Sequence, residues 1–496
     1  MLSNLLVNHG GGIIVRKKYR FLAGSTVVAL LTVTACGTAN TGTGGASSNN
    51  STSAGNAGNN VSASSSTANA NTSAPSTSSS NGGVPAPQWP AYNKHATITW
   101  WTWLSTAPQY AAEFEKVYPS IKINVVNVGA NGTEYKKLMT ALKAGSGAPD
   151  LAFLEYDVVP EFIQTGGLVN LNKYIGFVKP YYQPWTINEV SVGSNMYAVP
   201  QDIGPMVLDY NQNLLKSAGL TPPTTWSQLA SDAKLYHQKT GKYYTYFDEG
   251  DGKWLVALLW QAGITPWSGS GNNWKINIDT PQAQKVMNYW GSLLKSGAVI
   301  PSESLTPTWN SQIAKGDFAV AVGAAWFADF GIKPALNTTS SPWRVASIPQ
   351  WNPANPTNGD FGGSSNAVTT QSKHPMAAAL FAAWYTSSVQ GLAKLANPPA
   401  GYGAATYADK YEGKTAAINT PDPFLGGQKP TGIYEQDAKL VNTSFQWTPW
   451  SSYIFNEFGV EMTKAAQGSE SFDQALANIQ SSVVNYAKSQ GYQVSQ

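Results

Sequence analysis

The sequence predicts an α/β protein of at least two domains, and three observations carry that prediction. From His95 to Tyr156, short β-branched and aromatic runs alternate with helical ones, the order that builds parallel sheets covered on both faces. Lys94 to Gln496 is about 400 residues, more than one hydrophobic core usually organises. The chain has a single cysteine, Cys36, so no disulfide framework substitutes for that core.

The N-terminal segment reads as export and tethering. Arg16, Lys17, Lys18 and Arg20 precede a mostly apolar stretch from Phe21 to Val33, too short for a stable membrane span and laid out as a secretory signal over residues 1–35. It closes on Val33-Thr34-Ala35-Cys36, which looks like the lipobox of bacterial lipoproteins and makes Cys36 the expected lipidation site. Residues 36–93 follow as a tether: Gly37 to Asn93 has no charged side chain and no aromatic one before Trp89. Such a composition buries too little apolar surface to offset the entropy of ordering. Flexible-coil scaling gives its roughly 50 residues a reach near 40 Å.

Charge narrows the function classes. The formal net charge of +3 includes the four basic residues of the signal, and without them the chain is close to neutral. Nucleic acid is therefore not an expected partner, since phosphate binding needs a basic face.

Within the folded part, "HATITWWTW" alternates as a first strand, and Pro108 to Val117 reads as a helix. "IKINVVNV" is a second strand, Glu134 to Lys143 a second helix that stops at Gly145, and "APDLAFLEY" a buried third strand.

The segments "FEKVYPSIKINVV", "YKKLMTALKAGSGAPDLAFLEY", "GGLVNL" and "YAVPQDIGPMVLDYNQNLLKSAGLTPPTTW", and later "GDFAVAVGAAWF", "WRVASIPQW" and "FGGSSNAVTTQSKHPMAAALFAAWYTSS", closely resemble the bacterial extracellular solute-binding protein family 1, the substrate-binding lipoproteins of carbohydrate ABC importers. The resemblance runs from about Thr97 to Gly491 and implies a two-lobed periplasmic-binding-protein fold, type II-like, with a ligand cleft between lobes. It places an N-terminal lobe at 95–207 plus 350–396 and a C-terminal lobe at 208–349 plus 397–496, with crossings near Met206–Tyr210 and Val345–Pro349. It implies a carbohydrate-binding protein on the extracellular face of the bacterial cytoplasmic membrane, expected as a monomer, and the abundance of aromatic residues favours an oligosaccharide. Closure of the lobes would deliver that ligand to membrane permease subunits, with no cofactor and no catalysis.

The aromatics point independently to sugar. Eighteen Trp and 24 Tyr accompany a charged fraction of 12%, and a sugar needs flat aromatic platforms for its C–H faces beside amides and carboxylates for its hydroxyls. Strand alternation puts Trp101 and Trp103 on the face opposite Trp100. Glu155 and Tyr156 follow the third strand, where ligands bind in open α/β sheets. Asp202 sits between Pro200 and Pro205 beside Gln201, in a region where the family resemblance implies polar sugar contacts. Trp326 ends a small-residue strand and by that resemblance is the chief stacking platform. Gly362, Gly363 and Ser364 suit a close backbone approach. Trp254, Trp309, Trp351 and Tyr402 are further candidate platforms, whereas Trp384 lies in a helical pattern that suits the core.

Two other readings stay open. An exported glycoside hydrolase would use paired carboxylates such as Glu155 and Asp202, and a surface carbohydrate adhesin would use the same tether. "YEGKT" lacks the first glycine of a phosphate loop, Ala408 standing there. His9, His95, His237 and His374 are scattered, so no metal site is expected.

Overall fold

The computed structural model describes residues 87–388, 390–391 and 421–496. Cys36 and Tyr402, and the signal and most of the tether, lie outside these residues.

Among them, two mixed sheets form the centres of two lobes. The strands are, in chain order, β1 Ala96–Trp101, β2 Ile121–Val126, β3 Leu151–Glu155, β4 Ser191–Val192, β5 Asn195–Met196, β6 Ala198–Pro200, β7 Met206–Asn211, β8 Thr245–Phe247, β9 Trp267–Ser270, β10 Asn273–Ile276, β11 Val299–Pro301, β12 Val320–Ala324, β13 Trp343–Ser347, β14 Ser364–Val368 and β15 Gln493–Ser495. The first sheet runs β2-β1-β3-β14-β6. Its β1 is parallel to β2 and β3, while β14 is antiparallel to both β3 and β6. The second has β7 antiparallel between β12 and β13. The parallel pair β8 and β11 joins it through the parallel bridge Tyr243↔Phe318 and through Tyr244 O, which accepts from Ala319 N at 3.0 Å and Val320 N at 2.9 Å. The resulting order β11-β8-β12-β7-β13 repeats the strand directions of the first sheet.

The local elements follow from the side chains. In β1, Ile98 and Trp100 are buried, while Thr97 is exposed and Thr99 and Trp101 are half-buried, the alternation a pleated strand imposes. Leu151 to Leu154 of β3 are all buried, as expected of a central strand. The helix Ala107–Val117 presents Tyr110 and Phe114 to the helix Pro375–Ser387, stacking Tyr110 on Tyr385 and setting Phe114 edge-on to Phe381 and Trp384. That second helix is buried from Ala377 to Ser387, and Trp384 is in the core at 2% exposure.

Among the described residues, the connections between the sheets are 201–205 and 348–363. They run side by side: Met206 N donates to Gly359 O and Phe361 N to Gly204 O, and Gly204 N donates to Asp360 Oδ1 at 2.8 Å. Met206–Tyr210 and Val345–Ser347, expected as crossings, belong to β7 and β13 of the second sheet.

Candidate functional site

β3 ends at Glu155, and β14 begins at Ser364 directly opposite it. β6 ends at Pro200, so Gln201 and Asp202 emerge at the same edge, and both their N–H groups donate to Ser364 O. Tyr156 N donates to Gly363 O, and the Tyr156 hydroxyl donates to Asp202 O at 2.8 Å. Three separate chain segments are thereby fastened at one sheet edge.

Gly362 and Gly363 make this approach possible. Their φ angles are +98° and +80°, and a Cβ at 363 would stand 2.6 Å from the Tyr156 ring. Only glycine adopts such backbone beside such a neighbour at low cost. A Cβ at Gly362 would lie 3.0 Å from Trp326 Nε1, and one at Gly204 2.2 Å from Phe361 O.

From the other lobe, Trp326 follows β12 and reaches this edge. Its indole Nε1 donates to Phe361 O at 2.6 Å, and its ring tilts against Phe361 at 5.2 Å. The ring is only partly buried. Trp103 packs edge-on to Phe153 at 4.6 Å and Tyr135 at 6.1 Å. Trp101 is half-buried. The structure therefore brings Glu155, Tyr156, Gln201, Asp202, Trp326, Gly362, Gly363 and Ser364 together, with Trp103 linked through Tyr135.

Three expected platforms are elsewhere. Trp309 is fully buried, edge-on to Tyr246 and Phe327. Trp254 is 1% exposed, packs on Phe247 and Trp290, and donates to Val322 O at 2.8 Å. Trp351 stacks on Trp226 at 5.5 Å and meets Tyr289 at 5.1 Å. Trp254 and Trp309 are enclosed by other side chains, which makes them packing residues, whereas Trp351 is half-buried and away from the sheet edge. The signal for sugar platforms, tryptophan in loop-like segments, does not separate a ring covered by its own fold from one left open.

Sequence reasoning missed Lys253, Asp157 and Tyr135. Lys253 is the second residue of the helix Gly252–Gln261, which Asp251 caps by accepting from Lys253 N at 2.9 Å and Trp254 N at 3.2 Å. Lys253 Nζ lies 2.5 Å from Glu155 Oε2 and 2.9 Å from Asp157 Oδ2. The Tyr135 hydroxyl also donates to Glu155 Oε2, at 2.8 Å. The signal was present in "FDEGDGKW", an acidic run followed by one lysine, but its partners are about 100 residues away.

Burial dominates the electrostatics. It pushes the Asp202 carboxyl up to about 7, against hydrogen bonds from Gln201 and Ser364 that favour the ionised form. It raises Asp157 to about 6, opposed by Lys253. Burial works against the Lys253 ammonium, but Asp157 and Glu155 more than reverse this and hold it charged. Gln201 is 1% exposed, its amide donating to Asp202 and accepting from Asn366 and Tyr385, and Tyr156 is fully buried, so these two expected ligand contacts support the edge from behind. The edge thus offers the carboxyl groups of Glu155 and Asp202 and the Trp326 indole to a hydroxyl-rich ligand.

A cavity of about 580 Å³ lies beside this cluster, between Pro160–Gln164 and Asn188–Gly193 on the first lobe and Gly269–Trp274 and Thr443–Trp447 on the second. None of the expected site residues lines it.

Comparisons with known proteins give the family and the fold. Residues 100–391 match the family described as bacterial extracellular solute-binding protein. An arabinooligosaccharide-binding protein of Bacillus subtilis is 23% identical over 60% of this chain and 71% of its own. A lactose-binding protein of Rhizobium radiobacter is 24% identical over 67% and 79%. Among solved structures, the transporter-associated binding protein of B. animalis subsp. lactis in complex with β-1,6-galactobiose superposes with TM-score 0.70 at 27% identity, covering 82% of this chain and all of its own. The galacto-N-biose-/lacto-N-biose I-binding protein of Bifidobacterium longum gives TM-score 0.72 at 25% identity, with the same coverage.

Proposed function

Because the chain belongs to the bacterial extracellular solute-binding protein family, we propose that it is the sugar-capturing component of an ABC importer. In this reading it is anchored outside the cell through a lipidated Cys36, binds a neutral oligosaccharide between its lobes and hands it unaltered to a membrane permease. The observation that carries the reading is the meeting of Trp326 from the second lobe with Phe361, Gly362 and Gly204 of the connecting segments, beside the first lobe's sheet edge. A ring bound there touches both lobes only when they are close, so its differential affinity favours the closed state. Asp202, held by Gln201 from behind, accepts hydrogen bonds from hydroxyls, and Trp326 supplies a stacking face. The named ligands of the relatives, arabinooligosaccharide, lactose and galactobiose, support a sugar of two or more units.

A thermal-shift screen against mono- and oligosaccharides tests this, since a ligand that binds only the native state raises the melting temperature. The expected result is stabilisation by one class of neutral oligosaccharide with no release of reducing ends. Release of reducing sugar by the purified protein would favour the hydrolase instead.

A further inference from the structure

We propose that Lys253 is a positioning residue of the cleft: a cation delivered from the second lobe that joins Glu155 and Asp157 of the first and draws the lobes together before any ligand contributes. The inference rests on the reading that the two lobes close on a ligand, and it adds a protein-borne part to the closing force.

Both halves of the contact are held from behind. On the second lobe, Gly252 is pressed against Phe455, where a Cβ would stand 2.1 Å from the Phe455 carbonyl oxygen. Trp254 is tied to β12 through Val322 O, and Asp251 caps the turn between them. The Lys253 side chain also lies near the Phe455 ring, Nζ 5.8 Å from its centroid. On the first lobe, Glu155 is fixed by Tyr135 and by its place opposite Ser364, and Asp157 is 4% exposed. Lys253 is the ammonium that pairs with both carboxylates. When the lobes part, two neighbouring carboxylates lose their shared counterion in a poorly solvated place, which disfavours the open state. A second contact points the same way: Glu161 on the helix Val159–Gln164 accepts from Ser452 N at 2.7 Å and Ser452 Oγ at 3.1 Å, across the same lobe boundary.

Small-angle X-ray scattering of the full chain without sugar tests the inference, comparing native protein with Lys253→Met and Lys253→Arg. The methionine variant keeps an apolar stem near Phe455 but has no charge. We expect it to have a larger radius of gyration than native, and the arginine variant to return toward the native value. If Lys253→Met does not fold, Glu155→Gln combined with Asp157→Asn carries the same expectation of ligand-free expansion. Equal radii for native and methionine variants, or equal expansion of the methionine and arginine variants, would overturn the proposal. Since no sugar is present, that failure leaves the sugar-binding reading intact, whereas a blank thermal-shift screen sinks the latter alone.

Discussion

Trp326 and Trp309 are the same residue type with opposite surroundings, and the contrast sets the first predictions. Trp326 is partly open at the lobe boundary, so Trp326→Ala should weaken sugar binding by more than about 1 kcal/mol, read by isothermal titration calorimetry, with a small change in melting temperature. Trp309 is fully enclosed, so Trp309→Ala should cost about 3–5 kcal/mol of stability and leave the sugar Kd unchanged, read by denaturant unfolding beside the same titration. Asp202 gives a pH prediction. Its carboxyl is raised to about 7 in the folded state, against about 4 in an unfolded chain. The folded protein therefore binds the extra proton between those values, and stability falls as pH rises through that window. Asp157, raised to about 6, acts in the same direction. Thermal melts at pH 5.5 and pH 8 should show the lower midpoint at pH 8, and Asp202→Asn should shrink the difference.

The elements divide sharply in how far they were legible. The first three strands and two helices follow from alternation and helical spacing alone: β1, β2, β3, Ala107–Val117 and Gly132–Lys143 stand within two residues of the expected starts and ends of the helices and inside the quoted strand runs. β14 was not legible as a sheet centre, because its pairing with β3 joins residues more than 200 apart and local pattern carries no information on that. A separation of 98 residues hid Lys253 from Glu155 in the same way. Glu155, Asp202 and Trp326 could be placed near one sheet edge because strand ends and the family resemblance mark them, while Trp254 and Trp309, expected as platforms, are enclosed, because composition cannot say which ring is covered. The helix Gly252–Gln261 has its own test. Removing the Asp251 cap by Asp251→Ala should cost about 1 kcal/mol of stability, seen as a lower melting temperature.

At the scale of the whole molecule, the proposed function makes a requirement on each end of the chain. If Cys36 carries lipid, Cys36→Ser should move the protein from the membrane fraction to the medium and abolish incorporation of labelled fatty acid. If the lobes close on sugar, addition of the oligosaccharide found by the screen should reduce the radius of gyration in scattering. An unchanged radius at saturating ligand would show that binding occurs on a rigid face, as an adhesin would use.

The placement of β14 has a consequence for how the protein comes into being. β6 pairs with the first sheet only through β14, and β14 begins at Ser364, nearly three quarters of the way along the chain. A growing polypeptide therefore lacks the strand that joins β6 to β3 until most of the message has been translated. Long-range pairing of this kind also slows folding. If the chain is exported as its N-terminal sequence leads one to expect, this delay would keep the precursor loose until most of it is made, and a fragment ending before Ser364 should remain unfolded by circular dichroism.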